Sequence, residues 1–314
     1  MTSKWVTVVI PTYGRSVDMV KLAVDSILNQ TYTNVDVIIV DDNLKTSPHC
    51  KELKDYCSNN KRVSYIKTKG QQGACVARNL GTQQAKGKFI GFLDDDDEWL
   101  PTKIEVSLPL FKEDVAMVGS RGWQVTINKE REVLLKEPYM GDLFKKEPTF
   151  KEMLRCDSIG TTTLALVHKE KFLNCGGFRE DLPARQDYNC WLRILKKYRI
   201  VFTNEYLFNY YIHNQEQITK SDQRALDGVK KVYEEFKADF DADKQGYAYI
   251  NMLMLKRYMG LGDKSNQYKC LMNILKVQPR YLGRYIADTT KNKKLKEFLQ
   301  KHQKNLAQAS NESN

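Results

Sequence analysis

The chain has 314 residues, 41% of them hydrophobic and 28% charged, and 50 Lys and Arg against 39 Asp and Glu give a formal net charge of +11. That length suits one large domain or two small ones, and the composition excludes wholesale disorder. No run of 18 apolar residues suggests a transmembrane helix, and MTSKWVTVVIP is too short and too soon interrupted by Pro11, Tyr13 and Arg15 to read as a signal peptide.

The first hundred residues alternate strand and helix signals. Trp5–Pro11 is a β-branched run ended by proline, and Asp18–Gln30 has helical spacing with Val20, Val24, Ile27 and Leu28 on one face. Val35–Val40 is a near-continuous apolar run, which suits a strand buried on both faces of a parallel sheet. Cys50–Cys57 reads as a short helix, Arg62–Lys67 as a strand, Gly73–Ala85 as a helix and Lys88–Leu93 as a fourth strand. Such alternation predicts an α/β sheet with right-handed crossovers. Further on, Val115–Ser120, Trp123–Ile127, Thr161–His168, Ile200–Phe202 and Leu207–Ile212 read as strands, and Asp187–Lys197 as a helix. Residues 129–160 carry no clear period. From about Ser221 strand signals vanish, and Ala225–Phe240, Tyr247–Met259, Ser265–Lys276 and the chain from Arg280 onward read as helical. The expected organisation is 1–100, 101–220 and a helical 221–314. Seven cysteines, an odd number without a CxxC pair, suit reduced thiols and a cytoplasmic location.

The strongest chemical signal is Asp94-Asp95-Asp96-Asp97-Glu98, directly after the apolar FIGFL. Carboxylates ~4 Å apart repel by about 1 kcal/mol in water and about 4 kcal/mol at an effective dielectric near 20. Such a cluster calls for a counter-charge, and a divalent cation is the simplest one. A solvated acidic turn is the plain alternative. Position favours a site, because ligands of open α/β sheets bind beyond the carboxyl ends of the strands. Asp41-Asp42 and Pro11-Thr12-Tyr13 follow two other strand ends. Together they outline one crevice rim. Arg78, in a helix opened by Gly73, has the fork that suits phosphate oxygens, although an exposed helical arginine is usually only solvated. No GxGxxG or Walker pattern occurs, which argues against a dinucleotide dehydrogenase or a P-loop ATPase.

VVIPTYGR, VIIVDDN and ACVARNLGTQQAKGKFIGFLDDDDEWLP, followed by CGGF (Cys175–Phe178) and ARQDYNCWLRI (Ala184–Ile194), resemble the family 2 glycosyltransferases over roughly residues 5–220. The resemblance implies a GT-A fold, α/β with a mostly parallel central sheet, followed here by the α-helical C-terminal extension. It implies that Pro11, Thr12 and Tyr13 hold the base and ribose and that Asp42 reads uracil. It places Arg78 near the phosphates, Asp95 on the ribose, and Asp94 and Asp96 in the metal motif, whose register the four-aspartate run allows to shift by one. Asp187 matches the catalytic base. His213 resembles a late histidine that adds a metal ligand in some members, beside the alternative of a structural histidine next to two tyrosines. The implied cofactor is Mn2+ or Mg2+ and the implied donor a UDP-sugar. The implied acceptor is a glycan, lipid-linked as for many bacterial relatives that build surface polysaccharides. QxxRW is absent after Asp187, which favours single additions.

Residues 265–304 hold ten Lys or Arg and two acidic residues, +8 of the chain's +11. With Tyr281, Tyr285 and Phe298 interleaved, they suit an anionic membrane surface, on the inner face of the plasma membrane, or a helical cap with solvated lysines. The apolar faces also allow a homo-oligomer, and no nucleic-acid motif occurs. A nucleotidyltransferase lacks its usual glycine- and lysine-rich loop here. A non-catalytic scaffold docking a glycan assembly at the membrane is the remaining alternative.

Overall fold

A computed structural model describes residues 4–128, 130–143, 145–213 and 221–278; of Asp142 and His213 only the backbone is described. The chain divides into two compact units. The first comprises Met1–Phe150, Asp157–Asp181 and Gln186–Glu216, and the second Lys151–Cys156, Leu182–Arg185 and the chain from Gln217 onward.

In chain order the elements are β1 (Val6–Thr12), α1 (Val17–Leu28), β2 (Val35–Asp41), α2 (Pro48–Ser58), β3 (Val63–Lys67), α3 (Ala74–Gln84), β4 (Phe89–Phe92), β5 (Glu98–Trp99), α4 (Lys103–Ser107), β6 (Val115–Ile127) and β7 (Val133–Pro138). Then come α5 (Phe150–Arg155), a 3-10 turn at Thr162–Leu164, β8 (Leu166–His168), α6 (Lys169–Asn174), α7 (Gln186–Leu195) and β9 (Arg199–His213). The strands form one mixed sheet in the order β3-β2-β1-β4-β8-β6-β9-β5, with β7 on β6. The run β3-β2-β1-β4 is parallel. Every residue of β1 is buried, as its near-continuous apolar pattern suggests for a strand covered on both faces. Register brings Thr12 opposite Asp41, so the carboxyl ends of β1 and β2 are level. β4 ends at Phe92, opposite Val9 of β1, and delivers Asp94 to the same edge.

Gly91 of β4 is required by packing. A Cβ there would lie 2.3 Å from Trp99 Cη2, and Trp99 is buried with its Nε1 donating to Thr163 O at 2.7 Å.

Several sequence expectations change. Val115–Ser120 and Trp123–Ile127 are one strand, β6, and Ile200–Phe202 and Leu207–Ile212 are one strand, β9. These two pair in parallel and absorb irregularities as register shifts near Arg121. Thr161–His168 is not a strand throughout. Thr161 Oγ1 accepts from Thr163 N, the chain turns at Thr162–Leu164, and only Leu166–His168 pairs. Ala225–Phe240 breaks at Phe236 into two helices.

The second unit contains α5 from Lys151, then α8 (Asp222–Glu235), α9 (Lys237–Ala242), α10 (Lys244–Leu261) and α11 (Lys264–Val277). Its core includes Leu226, Ala248, Met252, Leu255, Leu271 and Ile274. Arg155 of α5 grips Asp243 with two bonds of 2.6 and 2.7 Å, and Asp243 also caps α10 by accepting from Gly246 N at 2.9 Å. The strongly basic stretch beyond 278 lies outside the described residues. Among the described residues no helix is long and apolar enough to cross a membrane.

Candidate active site

The site grows from three strand ends. After β1, Thr12 is buried, while Tyr13 stands 53% exposed with its hydroxyl accepting from Gln71 Nε2 at 2.8 Å. After β2 the two aspartates diverge. Asp41 turns inward and accepts from Asn43 N and Nδ2 at 2.8 and 2.7 Å and from the Tyr65 hydroxyl at 2.7 Å. Burial works to raise its pKa, but the bonds from Tyr65 and Asn43 outweigh it and hold the carboxyl below its ordinary value.

Asp42 organises the loop before α3. Its backbone N–H donates to Thr12 O at 2.9 Å, which ties the ends of β1 and β2 together. Its Oδ1 accepts from Gln72 N at 2.9 Å and from Thr68 Oγ1, and its Oδ2 accepts from Gly73 N at 2.7 Å. Gly73 caps α3 without a side chain, and the Asp42 carboxylate binds its amide and that of Gln72, just before the positive end of the helix. These bonds fill three of the carboxylate's four lone-pair positions and leave capacity on Oδ2.

The acidic run after β4 splits. Asp94 accepts from Arg78 Nη2 at 2.5 Å and from Thr162 Oγ1 at 3.4 Å. Asp95 and Asp96 share Arg15, whose Nε lies 3.3 Å from Asp95 Oδ1 and whose Nη2 lies 2.5 Å from Asp96 Oδ2. Asp97 turns the other way, buried, and accepts from Thr163 Oγ1 and from Tyr211 N at 3.0 Å. Glu98 accepts from Asn209 Nδ2 at 2.7 Å and the Tyr211 hydroxyl at 2.9 Å, fastening β5 to β9. Asp97 and Glu98 therefore serve the fold, and Asp94–Asp96 face the two arginines. Burial, then the Asp96 charge, push the Asp95 carboxyl up to about 7 in spite of Arg15. Asp97 is raised well above its ordinary value by burial and by Asp94 and Asp96.

Arg78 is 7% exposed and its guanidinium lies 5.6 Å from the Phe178 ring centroid. Burial opposes its charge, but Asp94 outweighs that and raises its pKa. Its Nε is buried without a hydrogen-bond partner in the protein, an orphan donor at the edge of the cluster. Asp187 is the second residue of α7, and its Oδ1 accepts from Tyr188 N at 2.7 Å. It acts electrostatically on Arg78, Tyr139 and Tyr210, and Tyr210 also feels Asp94, Asp96 and Asp97. The acidic run, Arg78 and Asp187 thus belong to one electrostatic neighbourhood. The CGGF turn is pinned to α3, since Asn79 Nδ2 donates to Phe178 O at 2.7 Å and Asn79 Oδ1 accepts from Phe178 N at 2.9 Å. The thiols are poor nucleophiles: burial pushes Cys75 up to about 11 and raises Cys190 further.

Pro11, Thr12, Tyr13, Asp42, Arg78, Asp94, Asp95, Asp96 and Asp187 all lie in the first unit. His213 ends β9, its backbone opposite Ile127; its side chain, and with it the expected metal contact, lies outside the described residues. Sequence reasoning missed Arg15, Thr162, Thr163, Tyr139 and Tyr210. Only Arg15 had a local signal, its place in the loop directly after a strand end.

Among the described residues no three acidic, histidine or cysteine side chains form a ready-made cation cage. The donors nevertheless fit a hard divalent cation. They are all carboxylate oxygens, and Asp95 and Asp96 already hold a cationic partner in Arg15. Cations that work on phosphates are commonly held by one or two carboxylates plus the substrate itself.

The profile of Glycosyl transferase family 2 matches residues 7–172. WcaA of Escherichia coli K12, provisionally named a colanic acid biosynthesis glycosyl transferase, is 26% identical over 290 residues, spanning 90% of this chain and 96% of its own. The crystal structure of S. aureus TarS 1–349 in complex with UDP-GlcNAc superposes with a TM-score of 0.59 at 17% identity, over 89% of this chain and 83% of that one. The mannosyltransferase PcManGT from Pyrobaculum calidifontis, in complex with GDP-Man and Mn2+, superposes with a TM-score of 0.53 at 17% identity, over 91% and 76% of the two chains. At such identities the two structures establish the fold alone.

Proposed function

The chain belongs to glycosyl transferase family 2 and has its GT-A type of α/β fold, and from that premise we propose that it transfers a hexosyl or N-acetylhexosaminyl unit from a UDP-sugar to a hydroxyl of a surface-glycan acceptor, with inversion at the anomeric carbon. The observation that carries this reading is the meeting of Asp42, Arg78 and Asp94–Asp96 at the carboxyl edge of one sheet, with Asp187 acting on the same arginine. The colanic acid name of WcaA and the UDP-GlcNAc bound to TarS support the substrate class.

Each residue has a chemical task in this proposal. Tyr13, exposed beside the 68–73 loop, offers its ring to the base, with Pro11 and Thr12 closing the floor. The remaining acceptor capacity of Asp42 Oδ2 suits an imide N–H, which uracil presents and cytosine does not. Asp95 accepts from the ribose hydroxyls. Arg78 offers its orphan Nε to a phosphate oxygen. Asp94 and Asp96, with His213 as a further candidate, would hold Mn2+ or Mg2+, which when bound neutralises the charge developing on the diphosphate. Asp187 takes the proton of the attacking acceptor hydroxyl at its carboxylate. A lipid-linked acceptor and attachment to the inner membrane surface through the basic C-terminal region complete the proposal.

The test incubates purified protein with UDP-, GDP- and dTDP-sugars and acceptor glycans, with Mn2+, Mg2+ or EDTA, and measures nucleoside diphosphate release. Metal-dependent release from a UDP-sugar is expected. Absence of release, together with calorimetry showing no nucleotide binding, would overturn the proposal and favour a non-catalytic scaffold.

A further inference from the structure

Arg15 and Arg78 both contact the acidic run, and they differ in one physical respect. Arg78 is enclosed, its side chain 9% exposed beside Phe178. Arg15 is delivered by the loop between β1 and α1, and its side chain is 36% exposed. Both neighbours of that loop are anchored. Gly14 N donates to Asn43 Oδ1 at 2.8 Å, and Asn43 is itself bound to Asp41. Ser16 caps α1 by accepting from Met19 N at 3.4 Å. The backbone is therefore pinned on either side while the side chain remains partly exposed. It reaches across 80 residues of sequence to Asp95 and Asp96.

We propose that Arg15 is an exchangeable counter-cation, which holds Asp95 and Asp96 while the donor is absent and competes with a divalent cation for the Asp96 carboxylate. A guanidinium and a divalent cation repel at such a distance, so one displaces the other. The consequence is coupling. When a nucleoside diphosphate is present, the displaced guanidinium has phosphate oxygens to pair with, and the competition eases. Arg15 thus makes the site favour cation and nucleotide together over free cation alone. By linkage, the factor by which UDP aids Mn2+ equals the factor by which Mn2+ aids UDP.

This inference rests on the metal-binding reading above, and its test separates the two. Free Mn2+ is followed by electron paramagnetic resonance in titrations of wild type, Arg15→Gln and Arg15→Lys, with and without UDP. Thermal melting verifies that each variant is folded. Arg15→Gln is expected to bind Mn2+ alone about tenfold or more tightly than wild type, with a smaller gain on adding UDP. Arg15→Lys, which keeps the charge, is expected to stay near wild type. Folded Arg15→Gln with unchanged or weaker affinity for Mn2+ alone would overturn the inference, as would a gain of equal size in Arg15→Lys. If no protein binds Mn2+ even with UDP, the metal-binding reading fails and the inference with it.

Discussion

Lys103 supplies a sharp test of how the site is braced. It is fully buried on α4, its Nζ donating to Ser120 Oγ at 3.0 Å and to Leu164 O at 2.8 Å, and lying 4.9 Å from the Trp99 ring centroid. Leu164 closes the turn whose Thr162 and Thr163 hydroxyls contact Asp94 and Asp97, so this ammonium underpins the acidic run. Burial lowers its pKa from 10.5 to about 7. Between those values the unfolded chain binds more protons than the folded one. Stability from this group therefore rises with pH from about 7 towards 10.5 and is flat below that window. At about 1.4 kcal/mol per unit, less half-titration near the folded pKa, the gain from pH 7 to pH 9 is ~2 kcal/mol. Lys103→Met keeps the bulk and removes the proton. Urea unfolding of both proteins at the two pH values isolates the lysine, because other titrations cancel in the difference. The wild type is expected to gain ~2 kcal/mol on the variant between pH 7 and pH 9. An unchanged difference would refute the claim that a buried, desolvated ammonium sits beneath the site.

Other substitutions probe the chemistry and the packing. Asp187→Asn is expected to lower kcat by about 10²–10⁴ with the donor KM within about twofold, measured by nucleoside diphosphate release, and normal turnover would remove Asp187 as the base. Gly91→Ala forces a methyl against Trp99 Cη2 and is expected to cost about 1–3 kcal/mol in urea unfolding, since the indole is enclosed and hydrogen-bonded to Thr163 O. Asp243→Ala removes both the Arg155 fork and the α10 cap, for about 2 kcal/mol in the helical unit. Arg155 and then the Gly246 N–H hold the Asp243 carboxyl below its ordinary value, so its contribution is present above about pH 4 and fades as pH falls further. Denaturation of wild type and variant should converge at acid pH.

The early sheet was legible in the sequence for a simple reason. β1, β2 and β4 are almost wholly buried, so burial writes near-continuous apolar runs, and the residues after each run fall on the carboxyl edge where ligands bind. The family motifs added an order and spacing that no single strand carries. The later strands were harder to read. β6 and β9 contain Arg121, Gly122, Asn204 and Glu205, which break the local pattern, and their continuity comes from pairing with each other. Thr161–Thr163 has the β-branched composition of a strand, yet the chain turns there and the hydroxyls bond Asp94 and Asp97, more than 60 residues away.

The sequence by itself determined that five carboxylates follow a buried strand, because adjacency along the chain is enough to say so. Tertiary structure alone decided how they divide. Asp97 and Glu98 are claimed by β9, more than 100 residues later, while Asp94 meets Arg78 and Asp95–Asp96 meet Arg15. The same holds for Asp41 and Asp42, identical neighbours that part because one finds Tyr65 and Asn43 and the other finds the amides before α3. A carboxylate's role depends on which donors reach it. Apart from Asn43, those donors come from chain segments that folding brings within 3 Å or so.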